Sequence, residues 1–161
     1  MKKLLLVFTA VLLSGCSIFN SDSDEKSFEA NIGSKSFSAE ALAYQNDVGN
    51  TEITIIGRKG EWENSQNISF SIVDFDGGPG KYQVRNPSYY FVTGGDVIVT
   101  YAGLDHDSVV SSVTVTSYNA SSNKISGSFD FRVVVERSFN SYEPGDDISI
   151  KGNFDTVVEL P

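Results

Sequence analysis

The one histidine of the 161-residue chain stands between two carboxylates, Asp105 and Asp107, in the stretch GLDHDS. An imidazole flanked by carboxylates could serve as a general base or ligate a metal. The rest of the chain gives that chemistry little to work with. Ser-His-Asp catalysis also needs a serine on a strained strand-to-helix turn, and no G-x-S-x-G elbow is present. With one His (His106) and one Cys, the chain lacks the ligand set of a conventional zinc site. The plainer role of GLDHDS is a solvated hairpin turn.

Carboxylates recur beside glycines in DFDGGPG (Asp74, Asp76) and EPGDD (Glu143, Asp146, Asp147), and LDHD adds Asp105 and Asp107. Calcium takes clustered oxygens on flexible turns, so these six aspartates are its candidate ligands. No loop carries the twelve-residue calcium spacing with its distal Glu, and a site would need two loops to converge. Turn chemistry accounts for the same residues, and no other cofactor is expected. Two carboxylates about 5–9 Å apart could also hydrolyse a glycosidic bond, although any acidic chain offers such pairs by chance.

Aromatic side chains are the remaining candidates. Trp62 in RKGEWENSQ, Tyr82, and Tyr89-Tyr90-Phe91 beside Pro87 fall in or next to expected loops. An exposed ring could stack on a sugar or anchor a protein partner. If Tyr89 and Tyr90 belong to a strand they face opposite sides, so one of them is core. Trp62, Tyr82, Tyr89 and Tyr90 are therefore the candidate contacts, with Trp62 foremost.

The elements that must carry these residues read as strands. From Phe28 onward, side chains alternate with a period of two between Gly, Asn, Asp and Ser punctuation. FEANI and KSFSAEA flank a turn at Gly33-Ser34, with Phe28, Ala30 and Ile32 on one face. In NISFSIVDF, Ile68, Phe70 and Ile72 share a face and Ser69 and Ser71 take the other. TEITIIG, DVIVTYA, SVTVTSY, KISGSFDFRVVVE and DISIKGNFDTVVE follow the same rule, with two shorter strands around Tyr82 and from Tyr89 to Val92. Eight to ten short strands imply an all-β fold: an antiparallel β-sandwich, or as the alternative a small closed β-barrel. Ile125–Asp130 and Ile150–Asp155 both read I-x-G-x-F-D, which marks two neighbouring strands joined by a loop over 137–147.

The chain opens differently. Lys2 and Lys3 precede ten largely apolar residues, Leu4 to Leu13, too few for a bilayer span of about 20 residues but suited to a signal peptide. Leu13-Ser14-Gly15-Cys16 follows, then a small, polar, acidic run from Ser17 to Ser27 that reads as a tether. Removal of residues 1–15, which hold two lysines and no acid, takes the chain from a net charge of −9 to −11 and leaves 146 residues, enough for one domain. That charge repels phosphate, and no Lys/Arg cluster stands out, so nucleic acid is not an expected partner.

Leu13-Ser14-Gly15-Cys16 resembles the lipobox of bacterial lipoproteins. The resemblance implies a diacylglyceryl group on the Cys16 thiol, cleavage just before it, and acylation, such as palmitate, of the new amine. Ser17 is similar to the residue after the cysteine in outer-membrane lipoproteins. SDSDE, Ser21 to Glu25, loosely resembles an acidic tract used for surface display, although it lies farther from the cysteine than in that pattern and reads more simply as a solvated spacer. SVTVTSYNASSNKISGSFDFRVVV and DISIKGNFD resemble the C-terminal half of small bacterial lipoproteins with a β-rich domain of unknown function, and Phe28–Ala39 is similar to their opening.

The expectation is a signal peptide over 1–15, an acylated Cys16 with its tether over 16–27, and a single β domain over 28–161. The domain would sit at the outer membrane, on its periplasmic face or at the cell surface, held through acyl chains. It would act as a non-enzymatic binding or structural module on an envelope protein or glycan. A small hydrolase acting on envelope polymers and a calcium-stabilised adhesion module are the alternatives.

Overall fold

The computed structural model describes residues 26–45, 51–61, 64–92, 98–103, 111–138 and 143–161. Cys16, Trp62, Asp105, His106 and Asp107 lie outside them. The described residues form nine strands: β1 (Ser27–Ile32), β2 (Lys35–Gln45), β3 (Ile53–Lys59), β4 (Gln66–Val73), β5 (Gly80–Val92), β6 (Ile98–Gly103), β7 (Ser112–Asn119), β8 (Lys124–Ser138) and β9 (Asp147–Glu159). The fold is all-β, as the two-residue periodicity requires. Phe28, Ala30 and Ile32 are buried while Glu29 and Asn31 are exposed, and Ile68, Phe70 and Ile72 are buried together in β4.

All nine strands belong to one sheet, and its ladder returns on itself. Neighbours run antiparallel from β1 through β5, β8 pairs with β9, and β9 pairs with β1. The gap between β5 and β8 is filled by two strands placed end to end. β6 pairs with Tyr89–Val92 and with the C-terminal part of β8, while β7 pairs with Gly80–Gln83 and with the N-terminal part of β8. Among the described strands each has a partner on both sides, the feature that separates closed sheets from open ones. Beyond the start of the short β1, β2 and β9 meet directly in a parallel pairing at Ala43–Val158 and Tyr44–Glu159. Thr156, 1 % exposed, spans that junction by donating its hydroxyl to the Ala41 carbonyl at 2.9 Å.

The expected pair of short strands around Tyr82 and around Tyr89 to Val92 is a single strand, β5. Asn86 and Pro87 together oppose Phe70, an extra residue that forms a β-bulge. Asn86 takes a positive φ of 50°, which asparagine tolerates better than most residues, and the bulge accommodates a proline that has no N–H for the ladder. The two residues that read as a strand break are thus absorbed within the strand.

The interior is filled by aromatic side chains from opposite sides of the ring. Phe70 of β4 shares no ladder with β8 or β9, yet its ring lies 5.0 Å from Phe129, 5.5 Å from Phe131 and 6.0 Å from Phe154. Phe28 lies 5.0 Å from Phe129 and 6.0 Å from Phe37. Each fully buried Phe contributes on the order of 1.5–3 kcal/mol. Glycines make room for them: a side chain on Gly57 would strike the Phe28 ring, and Gly127 and Gly152 seat Phe154 and Phe129.

Because directions alternate around the ring, each end collects defined termini. The first rim carries the start of β1, the ends of β2, β4, β7 and β9, and the 74–79 turn. The second rim carries the Gly33-Ser34 turn, the end of β8 and the 143–146 turn.

Candidate functional site

Inward positions are taken by the core, so the outward-facing residues of the sheet are where chemistry remains. Where β1, β9, β8 and β7 adjoin, a set of polar outward residues lines an open groove of about 370 Å³. Ser27 and Glu29 come from β1, Asn153 and Asp155 from β9, Ser126 and Ser128 from β8, and Thr116 from β7, with Gly127 and Phe154 beneath. Alternation places them there: Phe28, Phe129, Phe154, Ile125 and Val115, next to them in the chain, point into the core.

The β7–β8 register shifts between Val115 and Ser117, so Thr116 is the extra residue of a bulge. Thr116 Oγ1 donates to the Ser126 carbonyl at 3.1 Å, and Ser117 and Ser126 hydroxyls lie 2.7 Å apart. Ser38 donates to Glu29 Oε1 at 2.6 Å. Asp155 Oδ1 is screened from solvent and pairs with Lys124 Nζ at 3.3 Å without hydrogen-bond geometry. Hydroxyls and a carboxamide both donate and accept, and carboxylates accept. The groove therefore offers both donors and acceptors to a ligand rich in hydrogen-bonding groups. Ser126, Gly127, Ser128, Asn153, Phe154 and Asp155 fall within the two I-x-G-x-F-D segments, whose echo marked neighbouring strands and not a ligand site.

Three cross-strand ion pairs lie along the same outer face of β8 and β9. Asp130 meets Lys151 at 2.8 Å, Arg132 grips Asp147 through Nε at 2.9 Å and a terminal nitrogen at 2.6 Å, and Lys124 meets Asp155. These carboxylates are neutralised by neighbours that the ladder places opposite or diagonal to them.

The DFDGGPG turn at the first rim forms a second cluster, built around Tyr82. Its hydroxyl proton is shared between Asp76 Oδ1, in a short contact, and the Gly78 carbonyl at 2.7 Å. Gly78 N–H donates to the same Asp76 oxygen at 3.1 Å. Phe75, buried, packs its ring 5.3 Å from Tyr82 at a tilt and 5.0 Å from Tyr118 edge-to-face, and its N–H donates to the Thr51 carbonyl at 2.8 Å. The Tyr82 hydrogen bond holds the Asp76 carboxyl below its ordinary value of 3.8. Burial, and then the bond to Asp76, raises the Tyr82 phenol above 10.0. Tyr82 is a clamp on this turn.

The other candidates disperse. Tyr89 is 5 % exposed and lies in the core, so it offers no surface to a partner, whereas Tyr90 is half-buried on the outer side of β5, opposite Asn67. Asp74 and Asp76 sit at the first rim and Asp146 and Asp147 at the second, so the two acidic turns do not converge. Asp146 Oδ2 accepts the Glu143 N–H at 2.8 Å within its own turn, and Asp147 is held by Arg132. Among the described residues no three His, Cys, Asp or Glu side chains gather as a metal site.

Compared with known proteins, the chain matches no family model, no curated protein and no solved structure.

Proposed function

We propose that this protein is a lipid-anchored module of the bacterial cell envelope, held at the outer membrane through acyl chains on Cys16, which acts by binding or bracing a partner and not by catalysis. One observation carries the reading. The chain's only thiol stands at the junction between an apolar segment and a polar acidic run, ten residues before Lys26, where the described domain begins. Two or three acyl chains hold a protein stably where one holds it marginally. The carboxylates of Asp130, Asp147 and Asp155 being tied up in ion pairs supports a binding role over hydrolysis. The outer groove, lined by hydroxyls and the Asn153 carboxamide, is the described surface that suits a neutral glycan or an extended peptide of the envelope.

Intact mass and membrane fractionation in a Gram-negative host, beside Cys16→Ser, test the anchor. A chain that begins at Cys16, carries added acyl mass and fractionates with the outer membrane is expected, and Cys16→Ser should abolish all three properties. A soluble, unacylated wild-type chain would sink the proposal.

A further inference from the structure

We infer that the first rim of the ring is seated on the lipid surface that holds the anchor, with Tyr44 and Leu160 entering the interfacial layer. The inference rests on the lipid-anchor reading and adds an orientation to it. Its first support is where exposed apolar surface lies. Among the described residues the exposed large hydrophobic side chains are Tyr44, 40 % exposed, and Leu160, 56 % exposed. They come from different parts of the chain yet reach the same rim, because Tyr44 is the register partner of Glu159, the residue before Leu160, in the β2–β9 parallel pairing. The second support is where the chain enters. Lys26 lies at the same place: its carbonyl accepts the Ala41 N–H at 3.5 Å, and its ammonium is 3.8 Å from Glu159.

Covalent reach keeps this rim close to the lipid. Ten peptide steps separate Cys16 from Lys26, a span of at most about 35 Å. Ser27 pairs with Asp155, and the rim at Val158 lies three residues further along β9, about 10 Å at 3.3 Å per residue. The rim therefore lies between the domain's point of attachment and the bilayer whenever the domain stands upright on its anchor. Tyrosine suits that place because its ring is apolar and its hydroxyl wet, the property that concentrates such rings at membrane interfaces. The half-buried rings of Tyr82 and Tyr118 lie at the same rim. Asp74 and Asp76 there carry negative charge, beside the Lys26–Glu159 ion pair, and argue for a zwitterionic surface over an anionic one.

The mature chain would have its only native thiol blocked by the anchor, so an introduced cysteine can be labelled alone. Ser122, in the turn beside the end of β9 where Asn123 accepts the Val158 N–H at 2.9 Å, reports on the first rim. Ser34, in the β1–β2 turn, reports on the second. The acylated full chain carrying Ser122→Cys or Ser34→Cys, each with a fluorophore, is reconstituted in phosphatidylcholine vesicles containing a lipid with a nitroxide at the headgroup. Quenching at 122 several-fold greater than at 34 is expected, and Tyr44→Ser with Leu160→Ser should remove the difference while the melting temperature is held. Replacing a third of the lipid by phosphatidylglycerol should shrink it. Equal quenching at the two sites, or a difference indifferent to the double variant, overturns the seating. Mass and vesicle flotation of the same samples separate the two ideas: acylated, floating protein with equal quenching leaves the anchor standing, and unacylated protein that does not float overturns both.

Discussion

Gly127 of β8 lies directly opposite Phe154 of β9, and two residues along the same ladder Phe129 lies opposite Gly152. A Cβ on Gly127 would stand 2.8 Å from Phe154 Cζ, and one on Gly152 would stand 2.7 Å from Phe129 Cζ. The two I-x-G-x-F-D segments thus interlock reciprocally, each supplying the space the other's ring fills. A strand glycine covered by a cross-strand aromatic loses little packing, which explains its place in the two longest-paired strands.

Gly127→Ala should therefore cost about 1–3 kcal/mol through overpacking, since the new methyl also meets the Thr114 carbonyl. Urea unfolding would show a lower midpoint with unchanged slope. Adding Phe154→Leu should cost less in the alanine background than in wild type, a coupling of about 0.5 kcal/mol or more. Strict additivity would show that the ring and the glycine do not share one space.

Thr156→Val keeps shape and removes the one hydrogen bond its buried hydroxyl gives to Ala41, just beyond the start of β1. Leaving that carbonyl unpaired should cost about 1–3 kcal/mol. Thr156→Ser should cost clearly less in the same urea titration, because the hydroxyl survives. A valine variant as stable as wild type would deny the hydroxyl its bridging role.

The Asp76–Tyr82 clamp predicts a pH dependence with two signs. Asp76 is depressed in the folded state, so its contribution is present above its ordinary value of 3.8 and is lost as pH falls through the folded value. Tyr82 is raised, so its contribution is full below 10.0 and is lost as pH rises through the higher folded value. Melting temperature against pH should fall less steeply in Tyr82→Phe than in wild type at both limits. Parallel curves for the two proteins would rule out the clamp as the source.

The outer ion pairs should matter little. Asp130 and Lys151 are both more than half exposed, so Lys151→Ala should cost below about 1 kcal/mol. A double-mutant cycle with Asp130→Ala, at low and high salt, measures the pair directly. A coupling well above that value that persists at high salt would show these pairs holding the β8–β9 register.

Much of this architecture could be read residue by residue. The alternation of Phe28, Ala30 and Ile32, the turn at Gly33-Ser34 and the adjacency of the two echo segments all follow from local pattern. The continuity of β5 does not, because Asn86-Pro87 has turn chemistry, and only the pairing with β4 converts it into a bulge. Tyr89 and Tyr90 were separable as one core and one outer residue, yet which was which depended on register. The partner of Tyr82 stands only six residues before it, yet nothing in the DFDGGPG pattern says that the ring folds back on its own turn, and the polar groove gathers residues from strands far apart in the chain.

The order of residues by itself determined that the domain is built of strands and which side chains point inward, because successive Cβ atoms alternate across a strand whatever lies beside it. It also supplied the motif at Cys16 from which the anchor is proposed. Ring closure, the end-to-end placement of β6 and β7, and the meeting of Tyr44, Leu160 and Lys26 at one rim were decided by tertiary structure alone. Sheet ladders join backbone groups that every residue except proline carries in full, so side-chain identity says little about which strands will pair.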